Sequence, residues 1–161
     1  MGWWRGVTIT GFETVLEEEK VEMAEIAVTL KQHETTASMA TIRDHQLVID
    51  RPEAKGGHNA GPMGGELLLA AVGGCFMSNL RAAIAAREDV RVENIALTVR
   101  ATLSDDMTRF SAIHLHVTAV ADDQKLQKLV AIAERACIAA NTIKDLVDLT
   151  ATSDCGEPLA K

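Results

Sequence analysis

The segment that decides the fold reads Gly61-Pro62-Met63-Gly64-Gly65-Glu66-Leu67-Leu68-Leu69-Ala70-Ala71-Val72-Gly73-Gly74-Cys75. Its first part belongs to a glycine-rich loop over 56–65, and Glu66 then begins a helix that the pattern continues to about Arg87. An acidic side chain in the first turn suits the positive end of the helix dipole. Because the first half of this helix is apolar on every face, we expect it to be buried all round.

Strand patterns flank this helix on both sides. Ile26, Val28 and Leu30 alternate with other residues, which predicts a half-buried strand. Further strands are predicted over Ser38–Arg43, Gln46–Asp50, Val92–Leu103, Ile113–Ala119 and Val147–Ala151. A second, amphipathic helix has its apolar positions between Leu126 and Ala140. The order β-β-β-α-β-β-α-(β) predicts the α+β class, with helices on one side of an antiparallel sheet.

Length and charge narrow the range of functions. The 161 residues are typical of one domain, which we assign to 24–161, after an acidic N-terminal extension over 1–23. A formal charge of −7 at pH 7 opposes binding to nucleic acid and to anionic membranes. The apolar run Leu67–Leu80 is shorter than the roughly 20 residues that a bilayer span needs. No signal peptide is recognisable, so we expect a cytoplasmic protein without nucleic-acid or membrane partners.

The cysteines are the first candidates for chemistry. Their number, three, is odd and does not indicate a secreted disulfide framework. Cys75 follows two glycines inside the first helix, where each glycine costs roughly 1 kcal/mol relative to alanine; such a pair indicates close approach of a backbone or a ligand. Cys137 lies on the inward face of the second helix, so the two thiols could meet, although buried cysteines often only pack. We interpret Cys155 as incidental.

Two motifs then carry a resemblance to a known family. The segment 61–75 resembles the signature of the OsmC/Ohr family, the osmotically inducible and organic hydroperoxide resistance proteins. The segment Ala136-Cys137-Ile138-Ala139-Ala140-Asn141-Thr142-Ile143 resembles the second cysteine motif of that family, of which Cys-Pro-Val-Ser-Asn-Thr-Leu is a common form. The order of elements agrees with the family from about Ala24 to Thr152.

The resemblance implies a fold and an activity. It implies an OsmC-like fold, with antiparallel sheets around two central helices in an intertwined homodimer. It also implies a thiol peroxidase that reduces organic hydroperoxides without a cofactor. Cys75 would be the peroxidatic residue and Cys137 the resolving one, with an external dithiol as reductant.

The chain departs from the pattern of the family's peroxidases at two places. Those enzymes hold the thiolate with an arginine, whose place falls near Thr36, and with a glutamate that follows a proline. Here Gly64-Gly65 replaces the Pro-Glu pair and Glu66 comes one residue later, which makes Glu66 the candidate acid. Cys75 lies too far along its own helix to benefit from the helix dipole, so burial is expected to raise its pKa.

Other candidates concern binding rather than redox chemistry. Met63, Leu68, Phe76 and His58 could line a pocket. His114 and His116 share one face of a strand and favour a polar pair over a metal site, and we predict no metal. Two alternatives to the enzyme stay open. One is a non-catalytic protein that binds a small hydrophobic ligand in the dimer pocket, and the other is a thiol oxidation sensor.

Overall fold

The structure is a computed structural model that describes residues 25–156. The extension predicted over 1–23 lies outside these residues. The elements are β1 (Thr29–His33), β2 (Ala37–Ile42), β3 (His45–Ile49), α1 (Gly64–Ala85), β4 (Glu93–Leu103), β5 (Phe110–Val120), α2 (Asp123–Ala136), α3 (Ile138–Ile143) and β6 (Asp148–Cys155). A single 3-10 turn over Glu53–Lys55 lies between β3 and α1. The predicted α+β class and element order are confirmed.

The strands form two separate three-stranded sheets. One has the order β1-β2-β3 and is antiparallel throughout, and the other has the order β4-β5-β6. In the second sheet β4 pairs antiparallel with β5, whereas β6 pairs parallel with β5, with Leu115 opposite Ala151. The parallel pair departs from the expected antiparallel sheet because α2 and α3 form a crossover that returns the chain to the same end.

The first strand is shorter than the alternating pattern predicts. β1 begins at Thr29, which pairs with Thr41, and Ile26 before it is 90% exposed. Residues before Thr29 would have to pair with the end of β2, where Arg43 has a φ of 57° and belongs to the turn. β1 therefore cannot extend to residues before Thr29, because β2 turns away there. The apolar alternation alone does not show where the partner strand ends.

The main core lies between the helices and the second sheet. α1 contributes Val72, Phe76 and Leu80 at intervals of four residues, and α2 contributes the side chains of Leu126, Leu129, Val130 and Ala133. The inward face of β5 supplies Ile113, Leu115 and Val117. None of the residues in this core comes from β1, β2 or β3, so the N-terminal sheet stands apart from it.

The expectation that α1 is buried all round is wrong for the single chain. One face packs on β4 and another on α2, but a third face is exposed; it is formed by the small residues Ala70, Ala71, Gly74, Ser78, Ala82 and Ala85, with the exposed Arg81 among them. We call these seven residues the open face of α1. By length and composition α1 could also span a membrane, but core helices of soluble proteins meet the same test.

The two glycines before Cys75 differ in their surroundings. A Cβ atom on Gly73 would lie 2.9 Å from Cγ2 of Val99 on β4, so the close neighbour is a side chain and not the backbone or ligand that the sequence predicted. A Cβ atom on Gly74 would meet nothing within 4 Å in the single chain. Gly73 therefore sets how closely α1 lies on β4, and Gly74 belongs to the open face.

Candidate active site

Cys75 lies in the fourth turn of α1 and is half-buried beside the fully buried Phe76. Cys137 is fully buried at the junction of α2 and α3. The prediction that one helix continues through Cys137 to Ala140 is wrong, because α2 ends at Ala136 and α3 begins at Ile138. Cys137 itself is extended, with φ −77° and ψ 106°.

Side chains at the junction replace the hydrogen bonds that the break removes. The Cys137 sulfur accepts a hydrogen bond from the backbone N–H of Ala140 at 3.4 Å, as an N-cap does. The Asn141 amide donates to the carbonyl of Arg135 at 2.9 Å and satisfies one end group of α2. The break therefore leaves few unpaired groups, although neither glycine nor proline marks it.

The two thiols are free, and Cys75 packs against the buried cluster that contains Cys137. Cys137 donates its S–H to the carbonyl of Val72 at 3.9 Å, and each thiol shifts the pKa of the other. Packing of α3 against α1 thus brings together two residues that are far apart in the sequence. Their catalytic roles stay a prediction.

Their surroundings shift the two pKa values in opposite directions. Hydrogen bonding from the Ala139 backbone N–H lowers the pKa of Cys75, and the Cys137 thiol and the Ile138 N–H add to this against the opposing effect of burial. Burial raises the pKa of Cys137, and the neighbouring Cys75 sulfur raises it further, against the Ala140 N–H. The expectation that the Cys75 pKa lies above its usual value is wrong, because the start of α3 supplies donors that outweigh the effect of burial.

One further side chain at the sulfur was missed from the sequence. Asn79 donates from Nδ2 to the Cys75 carbonyl oxygen at 2.9 Å and also reaches the Cys75 sulfur, at 3.8 Å. The spacing of four residues on a helix would have indicated this contact, because such residues are neighbours on the helix surface.

Glu66 lies at the start of α1, away from the thiols. Its Oε2 accepts a hydrogen bond from the Met63 N–H at 2.8 Å and so caps the helix. Nine residues of helix separate Glu66 from Cys75, which corresponds to about 13 Å. Within one chain, the structure does not bring this carboxylate to the sulfur atoms.

The residues predicted to line a pocket fall into different places. Met63 lines a cleft of about 240 Å³, together with Thr36, Ser38, Ile49, Asp50, Arg51 and Gly64. His58 is hydrogen-bonded through Nδ1 to the Thr36 hydroxyl, at 2.9 Å. Leu68 is 43% exposed, whereas Phe76 is fully buried in the core behind Cys75. The single chain therefore does not gather these four side chains around one cavity.

Asp50 is a buried carboxylate that was not predicted as a site residue. It accepts hydrogen bonds from the backbone N–H groups of Arg51, His58 and Ala60 at 2.8 to 3.1 Å. Burial alone would raise its pKa, but these three bonds and one from the Thr36 hydroxyl lower it to about 2. Asp50 is thus an ionised anchor for the loop that leads to α1.

The remaining candidates lie on the second sheet. His114 and His116 are stacked with ring centroids 6.3 Å apart and hydrogen-bond to Thr150 and Thr152 on β6. Within residues 25–156, no group of three or more His, Cys, Asp or Glu side chains could hold a metal ion. Cys155 ends β6 and donates to the Asp123 carboxylate at 3.8 Å.

Comparison with known proteins places this geometry in a family. A sequence profile of the family described as OsmC-like protein matches residues 57–152. No curated protein sequence matches the chain. An OsmC-like protein from Mycoplasma pneumoniae has the same fold, with 15% identity, a TM-score of 0.73, and coverage of 84% of this chain and 99% of its own.

Two proteins with more specific descriptions also share the fold. An organic hydroperoxide resistance protein OsmC from Legionella pneumophila is 19% identical, with a TM-score of 0.61 over 82% of this chain and 98% of its own. The organic hydroperoxide resistance protein OhrB of Bacillus subtilis is 21% identical, with a TM-score of 0.56 over 81% of this chain and 98% of its own. With more than half of its residues matched by the family profile, the chain belongs to the OsmC-like protein family.

Proposed function

We propose that this protein is a thiol peroxidase that reduces organic hydroperoxides, with Cys75 as the peroxidatic and Cys137 as the resolving residue. The observation that carries the proposal is the interaction between two free thiols whose pKa values are shifted apart. The thiolate is the reactive form of cysteine, so the lowered pKa favours Cys75 as the nucleophile. The organic hydroperoxide resistance proteins from Legionella pneumophila and Bacillus subtilis, which share the fold, support the same substrate class.

In the first step the Cys75 thiolate attacks the terminal oxygen of the hydroperoxide. An electron pair of the sulfur forms the S–O bond, the O–O bond breaks, and the O–H hydrogen stays on the transferred oxygen. Cys75 becomes a sulfenic acid, and the alkoxide takes a proton from water and leaves as the alcohol. The sulfur is oxidised and the peroxide is reduced.

In the second step Cys137 attacks the Cys75 sulfur. The S–S bond forms, the S–O bond breaks, and the hydroxide that leaves combines with the Cys137 proton to give water. Two electrons must then come from a dithiol reductant, which is itself oxidised to a disulfide. Because Cys137 is fully buried and Cys75 only half-buried, the first thiolate of the reductant attacks the Cys75 sulfur.

We also propose that the protein acts as a homodimer. The open face of α1 is formed mostly by exposed small residues, the N-terminal sheet has no share in the main core, and Leu30 and Leu68 are exposed. A second copy that covers these surfaces would complete the substrate pocket. Glu66, Met63, Leu68 and His58 are assigned to the walls of this pocket, and Phe76 to the packing behind Cys75.

The proposal also covers where the protein is located in the cell and which residues form its domain. The two thiols that must be reduced for turnover suit a reducing compartment, so we place the protein in the cytoplasm. The domain extends over 24–161, and residues 1–23 are assigned to an N-terminal extension. No cofactor or metal takes part in the two steps, because the sulfur atoms carry the electrons.

The test is a count of free thiols before and after one equivalent of tert-butyl hydroperoxide. We expect the native chain to lose two of its three thiols and to give a Cys75–Cys137 disulfide in peptide mass spectrometry. Cys75→Ser should lose none. Cys137→Ser should retain a sulfenic acid on Cys75 that dimedone traps. If excess hydroperoxide leaves both thiols unchanged, the proposal is wrong.

Two other functions would give different results. Binding of a small hydrophobic ligand is favoured by the exposed Leu68 near the cleft at Met63. That function predicts a ligand that is retained through purification and is visible in native mass spectrometry. It also predicts thiols that do not react with hydroperoxide. An oxidation sensor would form the disulfide once, without turnover when dithiothreitol is supplied as the dithiol.

A further inference from the structure

Asn79 is placed to act on Cys75. It lies one turn further along α1, is half-buried, and directs its amide nitrogen at the Cys75 residue. Among residues 25–156, it is the only residue whose side-chain nitrogen is hydrogen-bonded to the sulfur of Cys75 or Cys137.

The carbonyl contact fixes which end of the carboxamide faces the sulfur. The nitrogen lies 2.9 Å from the Cys75 carbonyl oxygen, where the amide oxygen would be repelled. An asparagine amide has two N–H donors, so one can bind the carbonyl while the other points to the sulfur. The contact of 3.8 Å is long while the sulfur carries its proton, and ionisation shortens such a bond.

We propose that Asn79 is a positioning residue that stabilises the Cys75 thiolate through its amide N–H. This rests on the proposed function, in which that thiolate is the nucleophile. A hydrogen bond to an ionised acceptor is roughly twice as strong as one to a neutral acceptor, so the amide favours the thiolate over the thiol. Because the amide is neutral, it does so without a buried cation that would need its own partner.

The experiment follows the alkylation of Cys75 by iodoacetamide between about pH 5 and pH 10, read on the Cys75 peptide by mass spectrometry. In Asn79→Leu, we expect the profile to move to higher pH and alkylation near pH 7 to become about fivefold slower. Gln124→Leu is the matched control, since Gln124 is an exposed amide on α2 outside the open face, and its profile should match that of the native chain.

Asn79→Asp tests the same point without a change of shape. Its carboxylate would repel the thiolate, so the upward shift should exceed that of Asn79→Leu. A purely structural role would move the unfolding midpoint as well, whereas we expect the alkylation of Cys75 to change while the midpoint stays that of the native chain. Profiles of both Asn79 variants that superimpose on the native profile would overturn the proposal.

Alkylation needs no hydroperoxide, so this test is separate from that of the proposed function. If native Cys75 ignores hydroperoxide but its alkylation shifts in the Asn79 variants, the peroxidase proposal fails and the role of Asn79 stands. If native Cys75 consumes hydroperoxide and the variants show unshifted profiles, the peroxidase stands and the role of Asn79 fails.

Discussion

Cys75 and Cys137 differ in what their sulfur atoms touch. Backbone N–H groups of Ala139 and Ile138 lower the Cys75 pKa, whereas burial raises the pKa of Cys137. The difference suits a reaction in which the Cys75 sulfur attacks the hydroperoxide as a thiolate while Cys137 is still a protonated thiol. Because the Cys137 thiol lowers the Cys75 pKa, the resolving residue also helps to ionise the peroxidatic one.

Asp50 should make the fold sensitive to acid over a defined range. Its pKa falls from 3.8 to about 2 in the folded chain, so its contribution to stability is complete above about pH 4 and lost as the pH falls toward 2. Asp50→Asn should be less stable at pH 7, because an amide cannot accept all three N–H bonds, and should lose less stability between pH 4 and 2. Urea unfolding at several pH values measures this.

Asp44→Asn is the control for that series. Asp44 lies on the β2–β3 turn with its side chain 87% exposed. Its substitution should change neither the stability at pH 7 nor the acid dependence. An Asp50→Asn chain with the native acid dependence would contradict the role of Asp50 as an ionised anchor.

At the level of elements, the start of α3 determines the ionisation of Cys75. Ile138 is the first residue of α3, so its N–H has no partner within the helix, and it faces the Cys75 sulfur. We expect Ile138→Pro to remove this donor while preserving the helix, since proline is favoured at the first helical position. The extended Cys137 before it already has the conformation that a following proline requires.

The expected result of Ile138→Pro is a higher Cys75 pKa, seen as slower alkylation at neutral pH. Ile138→Ala keeps the N–H and removes only a side chain that is 76% exposed, so it should leave the profile unchanged. Equal profiles for the proline and alanine variants would mean that the Ile138 N–H does not act on the sulfur.

Gly73 should be intolerant of a side chain. In Gly73→Ala the new methyl group would lie 2.9 Å from a methyl group of Val99 and push α1 away from β4. Overpacking costs about 1–3 kcal/mol, and the better helix propensity of alanine returns up to about 1 kcal/mol of this. We expect a net loss of about 1–2 kcal/mol in urea unfolding, and no loss for the exposed Ser78→Ala. Unchanged stability in Gly73→Ala would show that β4 can move to make room for the added methyl group.

The elements differ in how far the sequence predicts them. The strands β4 and β5 follow their predicted alternation because they pair without a register shift from Ala96 opposite Thr118 to Thr102 opposite Ala112. The break at Cys137 was missed because its hydrogen bonds are replaced by the Cys137 sulfur and the Asn141 amide, and no glycine or proline marks it. The motif carried the only hint, since its common form has a proline where Ile138 stands here.

At the scale of the whole molecule, the sequence does not show whether an apolar surface is covered by the same chain or by a second copy of it. The first half of α1 is apolar on every side, which is equally true of a helix covered by its own chain and of one covered by a second copy. Within the described residues, one side of α1 packs in the core and the open face is exposed. The N-terminal sheet likewise has apolar side chains, such as Leu30 and Leu47, without cover.

A second copy packed on the open face should be dislodged by a charge there. We expect the native chain to have twice the 17.3 kDa mass of one copy in light scattering, and Ala71→Arg to have the mass of one. An unpaired guanidinium held in an apolar interface costs several kcal/mol, more than a dimer of ordinary affinity can absorb at micromolar concentration. Gln124→Arg, on the exposed side of α2, adds the same charge and should keep the dimer.

The same pair of variants links assembly to chemistry. If the second copy completes the substrate pocket, Ala71→Arg should consume tert-butyl hydroperoxide more slowly, while the alkylation profile of Cys75 stays as in the native chain. The reason is that the Ala139 and Ile138 N–H groups and the Cys137 thiol, which lower the Cys75 pKa, lie in the same chain as Cys75 and do not depend on the second copy. A native protein that scatters as a single copy, or an Ala71→Arg chain that keeps the doubled mass, would contradict packing on the open face. Slower alkylation of Cys75 in Ala71→Arg would instead show that the second copy also supports the thiolate.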